Sequence, residues 1–393
     1  LKPMCNLQGA NDNAYVNSFE RGGQVYTTTD AETFLKINPE TLQVEQSLSF
    51  GMLADSGAMP LSTAHPLLHP ISGDYIAFRE KATDLMKKRE VIMYSISGPV
   101  ENKANRNDLG KPAPMDTAPY MHSYGLSLNY AVLPRMPIAM KMAGGSMTTP
   151  LIGEMFLELN VTSDADPNNA FHIIPLNGSE PFVRYLPASK KLYYVHTVNT
   201  VENETGITID LTVTPTNAFM SPVVTVAGQK NKKARDSSMV SPIERFHLPF
   251  DASVPVTSEI ITDTKMKTDF PVINPGFSSK PYCYFWANSW FTSSPSLADM
   301  GIVKYDVCAG TKVPKVWSRK NWYPTEPKMI PSDAPGAPED SGVVVFGAMN
   351  GETGEQWLIT LDATTMAVIS EAGPFPTIGF TAHGQFYKEG SFP

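Results

Sequence analysis

Seven histidines are the side chains of this sequence best suited to chemistry near neutral pH: His65, His69, His122, His172, His196, His247 and His383. Imidazole changes charge close to neutrality, and in its neutral form it is the commonest protein ligand for metals. Four of the seven occupy similar settings. His65 stands in STAHPLLHP, His122 in PYMHSYGLSLNY, His196 in YYVHTVNTVE and His383 in TAHGQFY, each at the end of a strand-like run beside a small or turn-forming residue. They are far apart in sequence and meet none of the local spacings of a zinc site. Taken singly, each reads more simply as a hydrogen-bonded core histidine. Brought together, they would make a metal site with no anionic ligand.

The elements that must position them are strands. KKLYYVHTVNTVENETGITIDLTVTP at 190–215 reads as strand, turn, strand: Ile207, Ile209, Leu211 and Val213 alternate with polar residues, the period of a half-buried strand. LKINPETLQV at 35–44, VKYDVCAGTKV at 303–313 and ITLDATTMAV at 359–368 repeat one pattern. In each, a strand meets a polar turn opened by Asn or Asp and returns. NAYVNSF, GQVYTTT, TFLKIN and TLQVEQSLSF make four consecutive strand-like runs, the content of one propeller blade. The chain spells out roughly six to seven such units, an all-β propeller by this reading, with a pair of β-sandwiches as the alternative. In a propeller the inner strands face one axis, so residues distant in sequence can meet there.

Composition narrows the function classes. A net charge of −8 and the lack of a basic stripe argue against a nucleic-acid partner. Thirty-four prolines are spread evenly, with no linker or low-complexity block. Cys5, Cys283 and Cys308 are scattered, which predicts no disulfide framework and favours a reducing compartment. No apolar run reaches the length of a membrane span, and no signal peptide is visible.

Ten motifs carry a resemblance that runs from about residue 10 to the C-terminus: DNAYVNSF, LKINPETL, TAHP, HSYGLSLNY, VHTVNTVE, FPVINP, YPTEPKMIP, EDSGVVV, LITLDATTM and AHGQFY. In this order they resemble the carotenoid cleavage oxygenases, non-haem iron enzymes that cut double bonds in polyenes and stilbenes. The resemblance implies a single seven-bladed propeller domain over 1–393 with Fe(II) on its axis. It places His65, His122, His196 and His383 on the iron-ligand positions and leaves His69, His172 and His247 as structural residues. Imidazole suits iron, and four neutral ligands leave coordination positions open for O2. No catalytic residue beyond the metal site is implied.

Two departures from the family stand out. Metal-bound histidines commonly donate their second N–H to a carboxylate, and the family uses three glutamates. Here the positions hold Asp30, Asp269 and Glu326. Aspartate is one methylene shorter, so Asp30 and Asp269 are expected to need a backbone shift or a bridging water to reach their histidines. The family also carries a longer N-terminal segment, so the first blade is expected to be incomplete, with an open edge that would take a protein partner.

The function implied is a dioxygenase that uses O2 to cleave one double bond of a carotenoid or apocarotenoid into carbonyl products. The alternative is a catalytically impaired relative that serves as a carotenoid-binding or structural subunit. Tyr124, Phe171, Tyr282, Tyr284, Phe285, Trp286, Phe375 and Phe380 are candidate tunnel aromatics. The stilbene-cleaving branch has a lysine where this chain has Thr29, which argues against a phenol anchor. The stretch 134–147, PRMPIAMKMAGGSM, is apolar with Arg135 and Lys141, and suits peripheral membrane contact. An intracellular location, in a plastid or at a membrane surface, is the expectation.

Overall fold

A computed structural model describes residues 16–30, 33–49, 62–82, 89–115, 120–142, 155–159, 169–187, 189–214, 231, 242–291, 300–376 and 383–388. The chain divides into two compact units, residues 1–192 with 387–393, and residues 193–386. Among the described residues there is no α-helix; two single 3-10 turns, Lys103–Asn105 and Pro275–Phe277, are the only helical elements.

The fold is an all-β propeller. Each unit carries three sheets built from strands that follow one another in sequence and pair antiparallel. In the first unit, Asn17–Arg21, Gln24–Thr28, Thr33–Ile37 and Val44–Ser49 make the first sheet. Leu67–Leu68, Tyr75–Ala82, Arg89–Ile96 and Arg106–Met115 make the second. Gly125–Leu126, Tyr130–Arg135, Ala170–Pro175 and Phe182–Tyr185 make the third, interrupted by a two-stranded ribbon of Ile138–Met142 and Met155–Leu159.

In the second unit the fourth sheet contains Tyr194–Glu202, Gly206–Val213, Ile243–Pro249 and Thr257–Ile260. The fifth contains Met266–Val272, Tyr284–Phe291, Met300–Asp306 and Lys315–Ser318. In the sixth, Trp322–Pro324 and Lys328–Pro331 both pair with Gly342–Asn350, followed by Gln356–Asp362 and Val368–Phe375.

Two expectations are corrected here. Six blade-like sheets form among the described residues, not seven; the strands left over make only the two-stranded ribbon. The first sheet has four paired strands, so its blade is not short of a strand. The reason is local: Gly22 and Gly23, both at positive φ, close the first hairpin tightly, and the next two connections are short.

Apolar side chains fill the space between successive sheets. Phe19, Tyr26, Phe34, Ala77 and Tyr94 join the first and second, and Phe78, Met93, Tyr124 and Leu133 join the second and third. In the second unit Ile243, Phe285 and Tyr305 join the fourth and fifth, and Trp286, Ile302, Val344 and Phe346 join the fifth and sixth.

The hairpin pattern legible in sequence is one recurrent five-residue turn. The carbonyl of its first residue accepts the N–H of the fifth in Asn38–Leu42, His69–Gly73, Asn350–Gly354 and Asp362–Met366. The fifth residue has φ of 57°, 69°, 73° and 66° respectively, and Gly310, four residues after Asp306, has 69°. The opening side chain caps the turn: Asn38 Oδ1 accepts the N–H groups of Glu40 and Thr41, and Asp362 Oδ1 accepts the N–H and the hydroxyl of Thr365. Glycine suits the left-handed position; Leu42 and Met366 occupy it with a Cβ penalty.

Cys283 and Cys308 form a disulfide, with Cα atoms 5.1 Å apart, contrary to the expectation of no disulfide and removing the cysteine argument for a reducing compartment. The cause is register. Tyr284 pairs with Asp306, and Val307 N–H donates to Cys283 O, so the two cysteines flank the end of one hairpin.

Two stability measurements follow. Leu42 is 76% exposed and makes little use of its side chain, so Leu42→Gly is expected to stabilise by up to about 1 kcal/mol in urea unfolding. A loss of stability would contradict the strain assignment. Replacing Cys283 and Cys308 by serine is expected to destabilise by about 3 kcal/mol, because the bond closes a medium-length loop. An unchanged midpoint would mean that the bond contributes nothing.

Candidate metal centre

The histidines and their acids come from equivalent places in successive sheets. His65 and His122 lie immediately before the first strands of the second and third sheets, and His196 lies on the first strand of the fourth. Asp269 is on the first strand of the fifth, Glu326 lies between the first two strands of the sixth, and His383 follows the last.

In the first unit His65 and His122 face each other with Nε2 atoms 2.9 Å apart and ring planes at 74°. Thr63 braces both: its hydroxyl donates to His122 O at 2.9 Å and accepts His65 N–H at 3.0 Å. His122 Nδ1 lies 3.1 and 3.0 Å from the two carboxylate oxygens of Asp30. Tyr120 donates its hydroxyl to Asp30 Oδ2 at 2.9 Å, and Ala64 N–H donates to Oδ1 at 3.3 Å. On the other ring, Asn17 Nδ2 is 3.3 Å from His65 Nδ1, while Asn17 Oδ1 accepts Ser18 N–H.

In the second unit His196 and His383 meet edge to face, with centroids 5.1 Å apart at 80°. The His196 backbone is held by Thr212, whose hydroxyl accepts its N–H at 2.9 Å. His196 Nδ1 is 2.7 Å from Asp269 Oδ1, and His383 Nδ1 is 3.0 Å from Glu326 Oε1. Glu326 Oε2 binds Lys328 Nζ at 2.6 Å and accepts Gly384 N–H at 3.4 Å.

Asp30 and Asp269, expected to need a backbone shift or a bridging water, both lie at direct hydrogen-bond distance from their histidines. Two local features compensate for the missing methylene. Asp30 O accepts Ser62 N–H at 3.0 Å, which draws the Asp30 turn against the segment that carries His65. Asp269 precedes Phe270, whose φ is +53°, at a register break between Asp269 and Val272. That left-handed residue is strained for an aromatic side chain. It turns its own N–H onto Asp269 Oδ1 at 2.8 Å and places its ring 5.0 Å from His196 and 5.3 Å from His383.

A carboxylate behind Nδ1 accepts a hydrogen bond, so Nδ1 carries the proton and the Nε2 lone pair is left for a metal. His122, His196 and His383 share this arrangement. Burial pushes the Asp269 carboxyl up, but the His196 ring and the hydrogen bonds from His196, Phe270 N–H and Thr212 hold it below the usual carboxylate range. Burial likewise raises Glu326, and the Lys328 charge together with His383 outweighs it, so Glu326 is also held low. His65 and His122 in the first unit, and His196 and His383 in the second, each carry an imidazole nitrogen able to bind a metal ion. Neutral nitrogen donors backed by carboxylates fit a divalent transition metal.

The remaining histidines are structural. His69 closes its turn through Ser72 N–H and Leu128 O, His172 is buried in the third sheet, and His247 is an exposed strand residue beside Thr208. Tyr124, Phe171, Tyr282, Phe285 and Trp286 are buried core rather than tunnel lining. The Tyr282 hydroxyl donates to Asp210 and the Tyr284 ring lies under Lys304 Nζ, while Phe375 is exposed and Phe380 lies outside the described residues. Arg135, expected to flank a membrane patch, is fully buried; residues 143–147 of that stretch lie outside the described residues. No helix of the described residues is long and apolar enough to cross a membrane. A cavity of about 280 Å³ adjoins Glu326, Lys328, Ile330, Phe346, Leu358 and His383.

Sequence reasoning missed Asn17, Thr63, Tyr120, Thr212, Phe270 and Lys328. Asn17 and Lys328 stand inside motifs recognised for their neighbours, DNAYVNSF and YPTEPKMIP. Nothing in the sequence marks Thr212 as the brace of His196.

The depressed Asp269 carboxyl gives a signed expectation. A carboxyl held low in the folded state contributes stability above its unfolded value of about 3.9, and that stability is lost as pH falls through the folded value. Metal-free Asp269→Asn is therefore expected to be less stable than wild type at pH 7, with the difference shrinking at low pH. A difference independent of pH in urea unfolding would reject the linkage.

Comparison with known proteins places the chain. Residues 4–388 match the family described as RPE65, retinal pigment epithelial membrane protein. The chain is 26% identical over 394 residues to a carotenoid isomerooxygenase of Galleria mellonella, covering 93% of this chain and 70% of that one. It is 24% identical over 417 residues to a beta,beta-carotene 15,15'-dioxygenase of Rattus norvegicus, covering 96% and 70%. The structure of cobalt-substituted Synechocystis ACO superposes with a TM-score of 0.71 at 17% identity, covering 94% of this chain and 73% of that one.

Proposed function

Because the chain belongs to the RPE65 family of carotenoid oxygenases, we propose that it is a non-haem Fe(II) dioxygenase that cleaves one double bond of a carotenoid or apocarotenoid. His65, His122, His196 and His383 are the iron ligands of this reading, and Asp30, Asp269 and Glu326 orient three of them. The observation that carries it is the repeated Nδ1–carboxylate contact at 2.7–3.1 Å on His122, His196 and His383, which leaves Nε2 as the metal donor on these three rings.

The reaction balances without an external reductant: a C=C bond and O2 become two C=O bonds, with one oxygen atom in each product. Iron held by these histidines would supply the site for O2 activation. The chain's own residues do the rest. The carboxylates hold the imidazoles in one tautomer and orientation. Phe270 packs an apolar ring against His196 and His383, and so restricts water there. A polyene offers no charge to grip, so shape and apolar contact must orient it.

An impaired, carotenoid-binding or structural subunit is the competing reading, founded in part on the two shortened acids. Their direct contacts with His122 and His196 support the enzyme instead.

The test is metal content and product analysis on a panel of carotenoids and apocarotenoids under labelled O2. The wild type is expected to retain iron and yield aldehyde or ketone products carrying the label. His196→Ala is expected to lose at least about 10-fold in iron retention, the lower end for disturbed metal sites, and to give no product. A folded, iron-loaded wild type that binds carotenoids without carbonyl products would favour the subunit reading.

A further inference from the structure

His383 lies outside regular structure. It belongs to residues 383–388, which form no strand, whereas Lys328 opens the strand Lys328–Pro331, paired in register with Val345. Glu326 accepts hydrogen bonds from both His383 Nδ1 and Gly384 N–H, and so links this segment to that sheet. Glu326 has one more rotatable bond than the aspartates behind His122 and His196. It therefore needs a further contact to fix which oxygen faces the ring.

We propose that Lys328 supplies this contact and is a positioning residue of the metal centre: it captures Glu326 Oε2, turns Oε1 toward His383, and so aims His383 Nε2. The inference rests on the reading of His383 as a metal ligand. Backbone geometry puts the three groups together. Glu326 precedes Pro327, which confines it to extended conformations. Residues two apart in an extended chain face the same side, so Glu326 and Lys328 point together. The resulting bond is short, 2.6 Å, and charge-assisted, with Glu326 only 8% exposed and Lys328 22%. The other two acids are braced differently. Asp30 receives the Tyr120 hydroxyl and Ala64 N–H, and Asp269 receives Phe270 N–H. Lys328 is thus the charged member of a set of three braces.

The experiment uses Co(II), the ion carried by the Synechocystis relative, with dissociation into a chelator and visible absorption as readouts besides activity. Lys328→Met is expected to release Co(II) about 10–100-fold faster, the range for lost outer contacts, with an altered Co(II) absorption band and a metal-free melting temperature close to wild type. Lys328→Arg, which keeps the charge, is expected to restore most of the retention. Lys328→Gln is the second neutral variant should Lys328→Met fold poorly.

Wild-type release and absorption in both neutral variants would overturn the proposal. So would equal losses in Lys328→Met and Lys328→Arg, which would point to packing alone. His383→Ala separates this from the parent reading. If His383→Ala holds Co(II) like wild type, the ligand assignment fails. If His383→Ala loses Co(II) while Lys328→Met keeps it, only the role of Lys328 fails.

Discussion

A neutral imidazole can offer a metal only one nitrogen, and the hydrogen bond at the other nitrogen decides which. The rest of this protein's candidate site depends on that constraint. Asp30, Asp269 and Glu326 each lie behind Nδ1 of a histidine. Each acid is in turn held by something that keeps it an acceptor in a fixed orientation: a tyrosine hydroxyl, a strained backbone N–H, or a lysine. His65 differs, with Asn17 at its Nδ1. The Asn17 amide oxygen accepts Ser18 N–H, and this amide rather than a carboxylate faces the His65 ring nitrogen. Thr63, bonded to the backbones of both His65 and His122, adds the rigidity that a carboxylate gives elsewhere.

Such precision needs stiff supports, and the sheets provide them by repetition. The same five-residue turn returns at Asn38, His69, Asn350 and Asp362, capped by its own first side chain and closed by a left-handed fifth residue. Short, self-capped turns keep consecutive strands in register, and register fixes where an inner-strand residue points. The site carries backbone strain of its own. Phe270, an aromatic residue at positive φ, gives up local backbone comfort and gains a hydrogen bond to Asp269 and ring contacts with two histidines. Shortening a glutamate to an aspartate is tolerated in this chain because the backbone carries the carboxylate to its ring.

The aromatic residues show the limit of reading pockets from composition. Tyr282, Phe285 and Trp286 form a dense run that resembles a tunnel wall in sequence. In the fold Phe285 and Trp286 point to opposite faces of one strand, each into a core between sheets. Tyr282 is occupied by the buried Asp210–Arg245 pair, whose guanidinium donates to both carboxylate oxygens. Large side chains stiffen the sheets, and the cavity beside His383 is lined by other residues, among them Ile330, Phe346, Leu358 and Phe386 with Glu326 and Lys328.

Strand periodicity, polar turns and four histidines in like settings were all legible in the sequence, because alternation and turn chemistry are properties of neighbouring residues. The hairpin count already allowed six sheets; the seventh came from family resemblance. The candidate ligands and their acids were legible too, through motifs, although composition and spacing alone left each histidine an ordinary core residue. The Cys283–Cys308 bond, the burial of Arg135, and the parts played by Asn17, Thr212 and Phe270 were not legible. Asp30 reaches His122 across 92 residues and Asn17 reaches His65 across 48. Contacts of that separation are set by strand register and sheet packing, and a shift of one residue would turn each side chain to the opposite face. The chain's local chemistry therefore selects the strands and turns, while the pairing of distant strands selects which of its polar groups meet.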